Sequence, residues 1–206
     1  MIGEDQKLKI KKIFSQFGEV TDADLGLILS KVNIEQFNRK EILLDLDSVC
    51  TKMYFVLEGC LRLYYLRDGV ERNCFFFHEN MFCTAFGSFM MERPSNQILQ
   101  TIEDTTCIAI SFNDLNNIYL HFPKMNYIVR KILEERYTNA HDIISAFILY
   151  TPEERYQAFI DNYPLLVNRI PEYHIASFIG ITPKSFSRLK RRRQVNQKKV
   201  TKGDEK

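Results

Sequence analysis

The chain has 206 residues, a formal net charge of +2, 45% apolar and 26% charged side chains. That length supports a sizeable core in one large or two small domains, and the balance is that of an ordinary globular protein. No run of about eighteen apolar residues occurs, which argues against a membrane-spanning helix, and five cysteines without a C-x-x-C pair argue against a disulfide-dense secreted scaffold.

The first segment, MIGEDQKLKIKK, has no apolar stretch of the signal-peptide kind, so a reducing cytoplasm is the expected compartment. Leu8, Ile10, Ile13, Phe14 and Phe17 then make a helical stripe, Gly18 interrupts it, and Thr21 is placed to cap a second short helix through Leu29. From about Val32 to Ser111 the texture changes to short strands. Tyr54 to Leu57 predicts one strand, Glu58-Gly59 a turn, and Cys60 to Leu66 the next. Asp68-Gly69 is a hairpin signal, because a type I′ turn needs positive φ at both central residues. Val70 to Phe77 returns, and further strands are expected around Phe82, at Ile98 to Ile102 and at Cys107 to Ile110. Short strands at this spacing predict an antiparallel roll or barrel.

Phe112-Asn113-Asp114 opens a helix that Pro123 breaks. A longer one follows to about Tyr150, some 25 residues and roughly 40 Å, long enough to link two domains. Val129, Leu133, Tyr137, Ala140, Ile144 and Phe147 recur on it at three- and four-residue steps, with Ile128, Ile132 and Ile143 on an adjacent face. One face is expected on the roll and the other on the same helix of a second copy. Thr151-Pro152-Glu153-Glu154 starts another helix, which Pro164 ends.

Arg169 to Arg193, RIPEYHIASFIGITPKSFSRLKRRR, reads as two short helices around a tight turn. Ile175, Ala176 and Ile179 form the apolar stripe of the first. Gly180 supplies the left-handed residue of the turn, Thr182 caps, and Pro183 takes the first position of the second helix. There Phe186 and Leu189 face inward, so Lys184, Arg188 and Arg191, with Ser187 beside them, project from the opposite side. Arg and Lys suit guanine edges and phosphates, and a serine hydroxyl suits either. The basic charge concentrated from Lys184 onward points to a polyanion partner. The polar tail QVNQKKVTKGDEK is expected to be mobile.

This order of elements, the run Tyr54-Phe55-Val56-Leu57-Glu58-Gly59 with the strand LRLYYL, and the 169–190 stretch together resemble the Crp–Fnr family of bacterial transcription regulators, its Bacteroidetes-type members in particular. The resemblance implies an α+β chain: an N-terminal antiparallel β-roll of the cyclic-nucleotide-binding, jelly-roll kind with flanking helices, a long linking and dimerisation helix, and a C-terminal helix-turn-helix domain. The matching divisions are 1–112, 113–150 and 151–206. It implies a cytoplasmic homodimer that binds double-stranded DNA and contacts RNA polymerase, with no membrane role. Lys184, Ser185 and Arg188 match the family's base-reading positions and Thr182 a phosphate contact; Lys190, Arg191 and Arg192 extend the candidate surface. In the family's cyclic-nucleotide cassette, Phe-Gly-Glu is followed by an Arg with Ser or Thr. Here Phe86-Gly87-Ser88 and Pro94-Ser95-Asn96 stand at those places, so Ser88 replaces the glutamate and Ser95 the arginine, and Arg93 is displaced by two residues. Loss of a charge-assisted bidentate contact, worth about 1.5–3 kcal/mol, argues against cyclic AMP. Phe86, Gly87, Ser88, Ser95 and Asn96 are the candidate pocket for an unknown small-molecule effector.

No cofactor is expected. The cysteines in strand-like runs (Cys60, Cys74, Cys107) read as small hydrophobes, and His78, His121, His141 and His174 lack metal-ligand spacing. His174 is expected in a surface or capping role, and Phe75-Phe76-Phe77 in the core. No nucleophile elbow, Walker loop or metal-base motif occurs, so an enzyme is not expected. The alternative reading is a small-molecule-binding module whose C-terminal helices dock a protein partner.

Overall fold

The computed structural model describes residues 3–15, 19–121 and 123–203. The expected stripe residue Phe17, the interrupting Gly18, and the side chains of Ile13, Phe14 and Ile128 lie outside what is described. The chain opens with α1 (Glu4–Ser15) and α2 (Asp22–Leu29). Thr21 caps α2 in a reciprocal box: its hydroxyl accepts from the Asp24 N–H at 3.2 Å, and the Asp24 carboxylate accepts from the Thr21 N–H at 2.9 Å.

Eight strands follow, β1 (Val32–Phe37), β2 (Ile42–Leu44), β3 (Lys52–Glu58), β4 (Leu61–Arg67), β5 (Val70–Phe77), β6 (Phe82–Cys83), β7 (Ile98–Thr101) and β8 (Thr105–Ser111), with the short helix α3 (Phe86–Met91) between β6 and β7. They form two four-stranded sheets, ordered β1-β8-β3-β6 and β2-β7-β4-β5, and every strand pairing within them is antiparallel. The expected roll is thus an eight-stranded jelly roll. The β4–β5 hairpin turns at Asp68 (φ 54°) and Gly69 (φ 72°), the pair of positive φ values that its sequence demands. Leu44, Leu61, Leu63, Phe77, Phe89 and Leu99 fill the space inside the roll.

Three apolar clusters hold the chain together. Besides the roll interior, a second joins Ile10 of α1, Ile28 of α2 and strand residues Phe55 and Ile108 to Ile118 of α4 (Phe112–His121) and Ile132 of α5 (Pro123–Leu149). The long helix expected after Pro123 is present as α5, 27 residues in length. The third cluster joins the roll to three C-terminal helices: α6 (Pro152–Asn162), α7 (Glu172–Phe178) and α8 (Pro183–Gly203). Alternation along β5 creates it. Phe75 and Phe77 stack on each other at 6.0 Å on the roll side, while Phe76 points the other way. Phe76 is fully buried, its ring 5.3 Å from that of Phe178 and 6.0 Å from that of Phe159.

Polar contacts fix the register of this junction. Arg62 of β4 is only 4% exposed. Its guanidinium donates to Gln100 Oε1 at 2.6 and 3.0 Å, to Glu71 at 2.5 Å and to Asn73 at 3.3 Å, and its Nη1 lies 3.0 Å from His174 Nδ1 of α7. The Ser177 hydroxyl donates to the Glu71 carbonyl at 2.8 Å and accepts from the Asn73 N–H at 3.1 Å. Nearby, Arg169 forms a two-pronged pair with Glu79 at 2.8 and 2.9 Å and reaches Glu103. Burial alone would raise the Glu79 carboxyl; hydrogen bonds from Arg169 and from backbone N–H groups outweigh it and hold the group down at about 2.

Two expectations are corrected. His174 is not at the surface: it is buried inside α7 against Arg62. Burial and the facing Arg62 charge depress its imidazole to about 4. The tail is not irregular from Gln194, because α8 continues to Gly203. Arg, Gln and Lys are good helix formers, and no Gly or Pro stands between Pro183 and Gly203, so polarity alone misleads there.

All five cysteines are free, and burial pushes Cys60, Cys74 and Cys107 up to about 12, which keeps these thiols protonated.

Replacing Phe76 with Ala is expected to destabilise the chain by about 3–5 kcal/mol, read as a lower urea midpoint. His174 gives a pH signature. Its folded value lies below the unfolded one, so between about 6.5 and 4 the unfolded state binds more protons and stability falls with pH. His78 is depressed in the same sense. His174→Gln keeps an acceptor for Arg62 without a titrating ring, and is expected to flatten the slope of unfolding free energy between pH 6.5 and 5. An unchanged slope would mean that His174 is not held neutral in the fold.

Candidate nucleic-acid interface

The α7–α8 turn is built by local chemistry. Gly180 adopts φ 77°, and the Ile181 N–H reaches back to the Ala176 carbonyl at 3.0 Å while the Gly180 N–H reaches Ser177 at 3.1 Å. This is a Schellman closure, which satisfies carbonyls that the helix end leaves free. A Cβ on Gly180 would lie 2.7 Å from the Phe147 ring of α5, so the same residue permits close approach of the linking helix. Thr182 then caps α8, its hydroxyl accepting from the Ser185 N–H at 3.2 Å, and Pro183 occupies the first helical position, where its missing N–H costs nothing.

The turn delivers α8 with two unlike faces. Phe186 and Leu189 are each 1% exposed, and the Phe186 ring meets Tyr156 of α6 edge-on at 4.9 Å. Lys184, Arg188 and Arg191 lie on the opposite, exposed side, where steps of four and three residues align them, and Val195 continues the row. Among the described residues none of these three cations forms an ion pair. Thr182, Ser185, Ser187 and Arg192 are also exposed. Ser187 bonds back to the Pro183 carbonyl at 3.1 Å. The cations at the rim are different. Lys190 pairs with Glu172 of α7, Arg192 pairs with Glu153 of α6, and Arg193 donates to Gln157 at 2.5 Å while lying over the Tyr156 ring. α8 is therefore clamped along its flanks and cationic along its crest.

On α5, the most exposed apolar side chains among the described residues are Tyr137 (75% exposed), Ile144 (60%), Ile148 (75%) and Leu149 (72%). Ala140 is half-buried, and Phe147 is exposed on one side while touching the Gly180 turn. Val129 and Leu133 turn toward the roll instead, lining a small apolar cavity of about 60 Å³ against Phe55, Phe82 and Ile118.

The expected effector segment is arranged inwardly. The Ser88 hydroxyl accepts from the Cys50 N–H at 2.8 Å and donates to the Arg93 carbonyl at 2.6 Å. The Ser95 hydroxyl donates to the Gln97 carbonyl at 2.8 Å and accepts from the Gln97 N–H at 3.0 Å. Both serines are buried, while Phe86, Gly87 and Asn96 are exposed. Arg93 lies over Gly87, its Nη2 atom 3.7 Å from where a Cβ would stand. The Arg62, Asn73 and His174 cluster was not legible in the sequence, because β4 is covered on both faces and a buried arginine there interrupts no pattern.

Among the described residues no helix is long and apolar enough to cross a membrane, and no three His, Cys, Asp or Glu are placed to hold a metal.

Comparison places the chain. Residues 34–122 match the family model of the cyclic nucleotide-binding domain. No curated protein matches the sequence. Among solved structures, FixK2 from Bradyrhizobium japonicum is similar with a TM-score of 0.71 at 15% identity, over 81% of this chain and 86% of its own. CLP of Xanthomonas campestris, described as a c-di-GMP responsive global regulator, gives 0.67 at 14% identity, over 86% of this chain and 93% of its own. A protein of Eubacterium rectale assigned to the crp/fnr family of transcriptional regulators gives 0.67 at 19% identity, over 86% and 85%. Residues 34–122 are thus a cyclic nucleotide-binding β-roll, set in a chain whose fold is shared with Crp/Fnr-type regulators.

Proposed function

We propose that this chain is a dimeric, sequence-specific DNA-binding transcription regulator of the Crp–Fnr kind. Residues 1–112 act as sensor, 113–150 as linking and dimerisation helix, and 151–206 as a helix-turn-helix domain. The observation that carries the reading is the two-faced α8: Phe186 and Leu189 are buried, while Lys184, Arg188 and Arg191 are aligned, exposed and unpaired among the described residues. Such a crest fits a major groove, with arginine read by guanine O6 and N7. Ser185 and Thr182, at the start of the same helix, are placed for phosphate or base-edge contacts. Lys190 and Arg192 act as phosphate contacts that exchange their carboxylate partners for the DNA backbone. Two copies related by a two-fold axis through the exposed α5 stripe would place two such helices about 34 Å apart, one helical turn of DNA. The cassette lacks the family's glutamate and arginine, and its two serine hydroxyls are spent on backbone groups. On this reading the roll takes a small ligand other than cyclic AMP, or none.

A binding selection over random duplexes with the purified full chain tests the reading directly: enrichment of a two-fold-symmetric site is expected, and recovery of no preferred sequence would sink it. With that site in hand, Arg188→Ala is expected to cost about 1–3 kcal/mol and to relax preference at one base position. Lys190→Ala is expected to weaken specific and random DNA alike and to flatten the salt dependence. Ile144→Glu places a charge on the stripe and is expected to give a monomer by sedimentation, with loss of symmetric-site binding and a still cooperative unfolding transition whose midpoint no longer depends on protein concentration. A dimer that survives this change would place the seam elsewhere.

A further inference from the structure

A cavity of about 250 Å³ lies between the roll and α7, away from the cassette. Arg39 and Lys40 from the β1–β2 turn, Arg62 of β4, Gln100 of β7, and Tyr173 and His174 of α7 face it. Glu71 also reaches it, and its carboxylate is already bound to Arg62, whose hydrogen bond holds the group below its ordinary range. Three cations and one carboxylate thus line it, with His174 neutral; a second carboxylate, Asp104, lies outside the lining and accepts from the Arg39 backbone N–H at 2.8 Å.

The hydrogen-bond inventory has the same bias. A guanidinium carries five N–H donors and no acceptor. Arg62 spends its Nε and one Nη2 hydrogen on Gln100 and its Nη1 hydrogens on Glu71, Asn73 and His174, which leaves one Nη2 hydrogen over. Because Arg62 only donates, His174 Nδ1 must accept, and the imidazole proton sits on Nε2. That N–H has no hydrogen-bond partner among the described residues. Arg39 and Lys40 make no ion pair among them either. Gln100 also donates to the Lys40 carbonyl at 3.0 Å, so one side chain ties the turn and Arg62 into a single unit. Lys40 is held at φ 67°, an uncommon conformation for a lysine, which this bond helps to fix. The free groups around the cavity are thus cations and donors, mounted on a buried, cross-braced arginine.

We propose that this cavity is a binding site for a small, multiply charged anion of the phosphate-ester or pyrophosphate class. Its volume is on the order of eight water molecules, enough for a phosphorylated metabolite. One wall belongs to the roll and the other to α7, so an anion there ties the two together and stabilises the docked position of α7 and α8 by linkage. The site stands whether or not α8 binds DNA.

Inorganic pyrophosphate is the probe, titrated calorimetrically into the full chain at constant ionic strength. Saturable binding is expected, together with a rise in the thermal unfolding midpoint. Arg39→Gln combined with Lys40→Asn removes the two exposed charges, and asparagine tolerates the left-handed backbone. This double variant is expected to keep the wild-type unfolding midpoint without ligand and to bind at least about tenfold more weakly, as loss of two charge-assisted contacts requires. Arg188→Gln with Arg191→Gln is expected to bind pyrophosphate as the wild type does. No binding by the wild type, undiminished binding by the first variant, or loss confined to the second would each overturn the proposal.

Discussion

The three C-terminal helices depend on one outward-facing phenylalanine. Their core is completed by Phe76, Cys60 and Ile102 of the roll, so α6, α7 and α8 take their position from a strand that also lines the roll interior. A buried aromatic contributes several kcal/mol, far more than any exposed ion pair nearby. The apolar contact therefore supplies the energy of docking. It does not supply direction, because apolar burial is insensitive to small rotations. Direction comes from Arg62, whose guanidinium meets acceptors on β5, β7 and α7 at once. A buried charge of this kind adds little net stability, but leaving it unpaired is costly, and that cost excludes misaligned packings.

The position of α8 follows from this. Its inner face is committed to the third cluster, and its flanks are held by Glu153 and Glu172. What remains for a partner is the crest of Lys184, Arg188 and Arg191. The arrangement separates two jobs that a short cationic helix would otherwise confuse. Flank cations are paired with carboxylates of α6 and α7, while the crest cations form no ion pair among the described residues. On the linking helix the same division appears in apolar form: Val129 and Leu133 serve the roll, while Tyr137, Ile144 and Ile148 face outward.

In the roll, the polar groups of the segment around α3 serve the fold. The Ser88 and Ser95 hydroxyls both bond to backbone groups and close loops there. Cationic side chains of the roll gather beside α7, where Arg39, Lys40 and Arg62 line one cavity. A ligand there would act on the same junction that Phe76 and Arg62 define, with no relay through the roll interior.

Several features were determined by the sequence alone. Asp68-Gly69 fixes its hairpin because few other pairs accept positive φ twice, and Thr21, Thr151 and Thr182 mark helix starts because their hydroxyls reach the third N–H. The inward turn of Phe186 and Leu189 follows from helical period, and in the apolar run Phe75 to Phe77 the last two residues are buried and the first partly so. These are short-range effects, carried by residues within four positions of one another. Only the tertiary structure decided that Phe76 serves a different core from its neighbours, that His174 lies neutral beneath Arg62, and that Val129 and Leu133 face the roll. Each of those outcomes depends on an element distant in the chain covering a second face, and no local period records which face will be covered.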